Sequence, residues 1–392
     1  MHETERQLRE HVAALEVRPD AGDDLAVALN DLADLLAGHG RCDGEPLALY
    51  RRALGLFEAA GGPEQPDVAN VLNNLAAVHD ERGDYGEAEA LAGRAAAIMD
   101  GLFAQAALVA DTEAETLDLC QRIRRQALSR QGAARRAQGR YAEAETPLRR
   151  ALALMEEHFG PDAEDTADSL NDLGVLYKYW GRYEDAETLY RRAHDILERC
   201  YGPDPPALAA ILYNLAGLDH ARGRFSEAEP RCRRALAVQE TRYSDDHPHL
   251  AVTRGTLAAI LDGQGRYDEA EFLYRQALAT HVARHGTEHP EVALGLNNLA
   301  AIAEARGRLA EAEALYLRAL QIRERCLGPE HPQTAVCLNN LGMLSPAIGK
   351  GSEAETRFRR ALDILEASAG PDHPHTRICR AHWEAARADR GA

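Results

Sequence analysis

The sequence predicts an all-α chain: a right-handed α-solenoid of about eight helix hairpins with a capping helix at each end. Three observations carry that prediction. Eight glycines (Gly40, Gly83, Gly139, Gly181, Gly223, Gly265, Gly307 and Gly349) mark a repeating register, spaced 42 residues apart from Gly139 onward. Apolar residues on either side of each glycine recur at helical spacing, as Val68, Leu72, Leu75 and Ala76 do. Hydrophobic residues make up 45% of the chain, but Ala and Leu dominate them and aromatics are only 5%. That balance suits closely packed helices better than a sheet core. Repeats grow in one dimension without a central core, so 392 residues need not mean two or three globular domains.

Taken in order, residues 1–24 are predicted to form an N-terminal capping helix and loop, 25–374 the eight repeats, and 375–392 a C-terminal capping helix. In each repeat the first helix, such as "DVANVLNNLAAVHDERG", ends at its glycine, which accepts a left-handed cap at low cost. The second helix, such as "DYGEAEALAGRAAAIM", follows. Between repeats stands "GPEHP" or a variant. Gly328 caps the second helix, Pro329 stops it, and Pro332 takes the first turn of the next, where a missing N–H costs nothing. A lone hairpin cannot bury its apolar faces, so hairpins stack. Ala88, Ala144, Ala186, Ala228, Ala270, Ala312 and Ala354 each sit five residues after a glycine, where a larger side chain would hold helices apart.

Three local departures carry their own expectations. The step from Gly83 to Gly139 is one period plus 14 residues. The extra residues lie near 99–115 and are predicted to lengthen both flanking helices, which meet near Asp111 and Thr112 as cap. In the third repeat the core leucine seen at Leu75, Leu173 and Leu299 becomes Gln131, which points to a shifted register. Pro346 is predicted to bend the first helix of the last repeat and free the carbonyl of Gly342.

The unit "LNNLA…G-R-Y-x-E-A-E-x-L-Y-R-R-A-L…G-P-x-H-P" resembles the tetratricopeptide repeat. More narrowly, it is similar to the 42-residue variant of kinesin light chains and many bacterial proteins. The resemblance covers about residues 25–375. It is to the repeat and not to motor function, since the heavy-chain-binding coiled coil of kinesin light chains has no counterpart here. High Ala, Arg and Gly content fits a bacterial source. The resemblance implies that first helices line a groove, with ligand-facing positions ten, nine, six and three residues before each glycine. It further implies that a ladder of Asn73, Asn74, Asn171, Asn214, Asn297, Asn298, Asn339 and Asn340 bonds the backbone of an extended peptide.

The third repeat stands out. From Thr116 to Gln138 there are six arginines (Arg122, Arg124, Arg125, Arg130, Arg135 and Arg136) against one acid, Asp118. Arg130 takes a nine-before position and Arg136 a three-before position, and Lys178 matches Arg136 one repeat on. This pattern predicts a basic recognition patch for an acidic segment, with Tyr179, Tyr213 and His220 as flat packing surfaces beside it.

The function expected is that of a non-enzymatic, cytoplasmic adaptor or scaffold that holds an extended, acidic peptide segment of a partner protein. The alternative is a regulatory sensor whose superhelix changes shape on binding and controls a separate enzyme, with the second-to-third junction as hinge. A net charge of −18 argues against nucleic acid as partner. No apolar run is long enough for a membrane span, and "MHETERQLRE" is too charged for a signal peptide. Seven scattered cysteines with no C-x-x-C read as reduced thiols. No nucleotide loop, G-x-S-x-G or H-E-x-x-H occurs, so no catalysis and no cofactor is expected. His247, His289, His331 and His373 recur before prolines and read as turn and cap residues. His375, Cys379 and His382 share a helix face and have zinc-compatible chemistry, but burial in a capping helix explains them as well and no metal is assigned.

Overall fold

A computed structural model describes residues 3–18, 21–38, 44–104, 114–202 and 206–391. Among the described residues there are eighteen α-helices, one short 3-10 turn and no strand. In order they are α1 (Glu3–Glu16), α2 (Gly22–Gly38), α3 (Gly44–Gly61), α4 (Pro66–Glu81), α5 (Tyr85–Ala104), α6 (Ala114–Ala137), α7 (Tyr141–His158), α8 (Glu164–Tyr179), α9 (Tyr183–Tyr201), α10 (Leu208–Ala221), α11 (Phe225–Glu240), α12 (Pro248–Gly263), α13 (Tyr267–His285), α14 (Pro290–Ala305), α15 (Leu309–Cys326), α16 (Pro332–Leu344), α17 (Gly351–Ser368) and α18 (Pro374–Gly391). The chain forms two compact units: residues 1–137 with 142–172, and residues 138–141 with 173–392.

The repeated glycines build the hairpins. Gly83, Gly139, Gly181, Gly223, Gly265, Gly307 and Gly349 all have φ between 72° and 79°. The residue after the glycine donates its N–H back into the first helix, as Arg182 does to Tyr177 and Arg266 to Leu261. That six-residue bridge satisfies a carbonyl the helix end would otherwise leave bare. The loop histidines close the other end. Nδ1 of His247, His289, His331 and His373 accepts the backbone N–H two residues on, capping α12, α14, α16 and α18. An accepting Nδ1 carries no proton, so each ring is the neutral Nε2–H tautomer.

Packing follows size complementarity. All seven alanines five residues after a glycine are buried. A small residue seven before the glycine faces a large one nine after it: Gly132 meets Leu148 in the first unit, while Gly174 meets Tyr190 and Gly342 meets Phe358 in the second. A methyl group on any of these glycines would sit within 2.6 Å of the partner's side chain. Gly132 therefore keeps the third repeat in register, against the shift Gln131 had pointed to. In both units a first helix packs on its own second helix and also touches the first helix of the next repeat, as α10 touches α12 and α12 touches α14. Within each unit the first helices form one layer.

α5 and α6, which flank the insertion, have 20 and 24 residues. Asp111 and Thr112 lie outside the described residues. α16 ends at Leu344, and Pro346–Ile348 forms the 3-10 turn. The carbonyl of Gly342 is not freed: Ser345 donates its N–H to it at 3.3 Å, because the chain tightens after the helix instead of bending within it.

Candidate functional site

In the first unit the arginines of α6 do not form an uncompensated patch. Arg122 grips Asp165 through two bonds of 2.7 and 3.0 Å. Arg124 donates to Asp100 at 2.8 Å and lies over Phe103. Arg125 lies between Asp168 (3.5 Å) and Asp172 (3.8 Å). Arg135 donates to Glu89 at 2.8 Å. Arg130 is enclosed, and its charge faces Asp80 and Asp172. Arg136 faces the same two carboxylates. Burial lowers the pKa of Arg130 despite those acids. Burial likewise raises Asp80, Asp168 and Asp172, with the arginines pulling the other way. Arg130 and Arg136, expected to form a basic recognition surface, thus stand among acids of this unit. The neutralising acids come from α4 and α8, which a count along α6 cannot see.

The asparagine ladder mostly joins repeats. Asn73 is fully buried and donates to the carbonyl of Ile123 at 3.0 Å, so no ligand can reach it. Asn74 donates to Asn30 and Asp34 of the preceding repeat at 3.1 and 2.9 Å. Asn340 repeats that link in the second unit, donating to Asn297 at 3.1 Å. Asn339 bonds His382 at 2.9 Å, and Asn214 is buried. Asn171 lies half-buried in the first unit.

The second unit holds a pocket of about 590 Å³ against its first-helix layer. Six of the expected residues line it: Lys178, Tyr179, Tyr213, His220, Asn297 and Asn298. Helical spacing explains the convergence. Tyr213, Gly217 and His220 form one stripe of α10, while Val252, Thr256 and Ala259 form the matching stripe of α12. Leu294 and Asn298 continue it on α14, and Val336 on α16. Glycines 217, 255 and 295 widen the space. Val252, Leu294 and Tyr179 are large hydrophobic residues left 37–45% exposed here.

The charges at this wall are few. The Lys178 ammonium lies over the rings of Tyr179 (5.2 Å) and Tyr213 (5.8 Å). Burial raises the Tyr213 phenol. Burial also lowers His220, which bonds the backbone of Ala259, and the Lys178 charge adds to the lowering. Glu291 is the one carboxylate of the lining.

The second unit meets itself across this pocket. His373, its Nδ1 occupied by the cap, donates Nε2–H to the carbonyl of Tyr179 at 3.1 Å, 194 residues away in sequence. Pro374 packs on Gly181, and Pro332 packs on Gly139. Tyr141, Pro332 and His373 thereby join the lining.

Sequence reasoning missed Val252, Leu294, Val336, His281 and Arg323, all of the lining. The first three share one repeat position, thirteen before the glycine, and their spacing was available in the sequence. The possible zinc set of α18 does not converge. His375 lines the pocket, Cys379 donates to the carbonyl of Phe358, and His382 bonds Asn339. Among the described residues, only His194, Asp195 and Glu198 bring such ligand atoms together, at a largely exposed site.

Helix hairpins stacked in register, with a ligand-sized pocket on the first-helix layer of the second unit, define a helical-repeat protein. The tetratricopeptide repeat model matches residues 46–100, 124–199, 207–281 and 291–367, and the chain belongs to that family. No curated protein matches it. Among solved structures it is similar to the Rap conjugation gene regulator of plasmid pLS20 in complex with the Phr* peptide: 16% identity, TM-score 0.56, 77% of this chain and 73% of that one. A Rap protein complexed with Competence and Sporulation Factor aligns at 11% identity and TM-score 0.55, over 93% of this chain and 98% of that one. BtubC (BKLC) from P. vanneervenii is 25% identical over 62% of this chain and 93% of its own, with TM-score 0.42. Among the described residues no helix is long and apolar enough to cross a membrane.

Proposed function

We propose that the chain is a non-enzymatic adaptor that binds an extended peptide segment of a protein partner in the second unit's pocket. The partner is a protein and neither nucleic acid nor membrane, and the setting is the cytoplasm. One observation carries the reading: Val252 and Leu294 stand exposed inside a pocket that several tyrosines, histidines and glycines also line. An exposed apolar stripe inside a concavity is where a partner's side chains are expected to bury. The family supports this reading, and so do the Rap structures, described with a peptide and with Competence and Sporulation Factor. Lys178, held between two tyrosine rings, is the cation best placed for an acidic residue of that segment. Asn297 and Asn298 are the ladder members the pocket keeps for backbone contact.

The test is selection from a random-peptide display library by the full chain, beside Val252→Asp with Leu294→Asp. Both substituted residues are exposed, so helicity and unfolding midpoint should stay within about 0.5 kcal/mol of the parent. The parent should enrich a family of apolar or aromatic peptides and the double variant should not. Equal enrichment by both would remove the pocket from the account.

The sensor alternative draws on the His373–Tyr179 contact. A ligand too long for the closed pocket must part it, which would change the second unit's dimensions. Small-angle scattering with and without a selected peptide separates the two, since an unchanged profile leaves the passive adaptor.

A further inference from the structure

Aligned on their glycines, the second helices form columns, and most columns keep one character. Sixteen residues after the glycine the place is closed: Met99, Met155, Leu197 and Leu365 are buried there, and so are His281 and Arg323. Thirteen residues after it the column is apolar and lies nearer the surface. It reads Ala96, Leu152, His194, Leu236, Leu278, Leu320 and Leu362. Leu236, Leu278 and Leu320 are half-buried and pack against core clusters. His194, on α9 of the second unit, is the one polar member, and its side chain is 23% exposed. Packing alone does not call for an imidazole at a place that five other repeats fill with leucine.

The residues beside it are as particular. Glu198 is four residues from His194 and three from Asp195, so all three share one patch of the helix. His194 Nδ1 lies 3.6 Å from Asp195 Oδ1 and 3.9 Å from Glu198 Oε2, too far for a hydrogen bond to either. An acid at the place of Glu198, seventeen after the glycine, is common to the repeats and elsewhere serves an arginine. Asp100 takes Arg150 at 2.6 Å and Glu324 takes Arg360 at 2.8 Å. Among the described residues no arginine or lysine pairs with the carboxylate of Asp195 or Glu198, and His194 is their partner. Two carboxylates and one imidazole nitrogen are thus gathered within 4.8 Å of one another. None of the three residues lines the pocket.

We propose that His194, Asp195 and Glu198 bind one divalent transition ion of the zinc type. Metal–ligand bonds of about 2.0–2.2 Å in a tetrahedron set ligand atoms roughly 3.3–3.6 Å apart. The three donors need only small side-chain rotations, at a largely exposed surface, to reach that spacing. One ring nitrogen with two carboxylate oxygens suits zinc, cobalt or nickel. Calcium takes roughly six to eight oxygens and magnesium an octahedron of them, so neither fits. The ion clips consecutive turns of α9. Three protein ligands leave a further position to water or to a donor from another molecule. The site is independent of the peptide reading of the pocket.

The experiment uses the full chain, made without a histidine tag, stripped with chelator and titrated calorimetrically with Zn2+ alone. His194→Leu installs the residue of five other repeats, and Glu198→Gln keeps the shape of the side chain without its charge. Neither variant should unfold earlier than the metal-free parent. The parent should take up a zinc ion that each variant binds at least tenfold more weakly. Zn2+ should raise the parent's unfolding midpoint and leave those of the variants nearer their metal-free values. Co2+ in place of Zn2+ should give visible absorption that His194→Leu removes, which separates this site from the exposed thiols of Cys200 and Cys326. Ca2+ should not displace it. Zinc binding that both variants retain at the parent's affinity, a cobalt spectrum that His194→Leu does not change, or no saturable uptake by the parent would each overturn the site. All three results leave the pocket standing, because its test is peptide selection.

Discussion

The contact that closes the second unit on itself can be measured with two glycines. Gly181 and Gly223 are the same turn residue in adjacent repeats, with φ of 76° and 72°. Alanine at either site must adopt a left-handed backbone, at a cost of about 1–2 kcal/mol, part of which the stiffer unfolded chain offsets. The surroundings differ. Around Gly223 nothing lies within 4 Å of a new methyl group. At Gly181 that methyl would stand 2.5 Å from Pro374 Cδ and 3.0 Å from the His373 ring. Ordinary contact begins near 3.4 Å, so Pro374 must retreat by roughly 1 Å. His373 moves with it, and its 3.1 Å bond to the Tyr179 carbonyl is lost. A hydrogen bond of that kind contributes about 0.5–1.5 kcal/mol net, and the proline packing adds some tenths. Gly181→Ala should therefore be about 1–2 kcal/mol less stable than Gly223→Ala, read from urea unfolding midpoints at equal slope. The subtraction removes the backbone strain common to both. Equal midpoints would mean that His373 and Pro374 do not rest on the Tyr179–Gly181 turn in solution, and the pocket would lose that wall.

Acid should weaken the second unit. Burial holds His281 down at about 4 and His285 at about 3, against an ordinary value of 6.5. A depressed folded pKa means that unfolding takes up protons. Stability is therefore complete above pH 6.5 and declines as pH falls toward 4, by about 1.4 kcal/mol per pH unit for His281 alone. His281→Leu should remove about half of the fall in stability between pH 6.5 and 4, the rest belonging to His285, and an unaltered slope would count against the burial argument. In the first unit, Arg130→Glu with Arg136→Glu adds two carboxylates to a cluster that already holds Asp80 and Asp172. We expect that pair to cost several kcal/mol in stability, as breaking buried charge pairs does, and to leave peptide selection by the second unit unchanged. Lost selection with an intact fold would return the arginines to the recognition surface.

The fold was legible because its determinants are local and repeated. A glycine at left-handed φ, an alanine five residues later and a loop histidine capping the next helix each act within one hairpin, and each recurs. Repetition also separated structural positions from the rest. It misled where the partner is distant. Charge counted along α6 gave six arginines to one acid, yet Asp80, Asp100, Asp165, Asp168 and Asp172 arrive from other helices and meet them. The asparagines misled in another way. Their place on the first helix is as the repeat implies, but Asn73, Asn74 and Asn340 spend their amides on the neighbouring repeat.

Most of the pocket was hidden because the sequence was read by which positions are polar and not by which depart from their own column. Valine at 252 and leucine at 294 look like core until the first-helix face that carries them is seen to be open. His281 and Arg323 look like surface until their hairpin position is seen to be closed. Both errors have one physical source. Hydropathy ranks a residue by its transfer from water, and the repeat position fixes whether that transfer takes place. In an array the second fact is available before any coordinates, because the other repeats report it: Met99, Met155, Leu197 and Leu365 already say that the column is buried. A polar residue in such a column bears an energetic cost that the packing of the other repeats does not require.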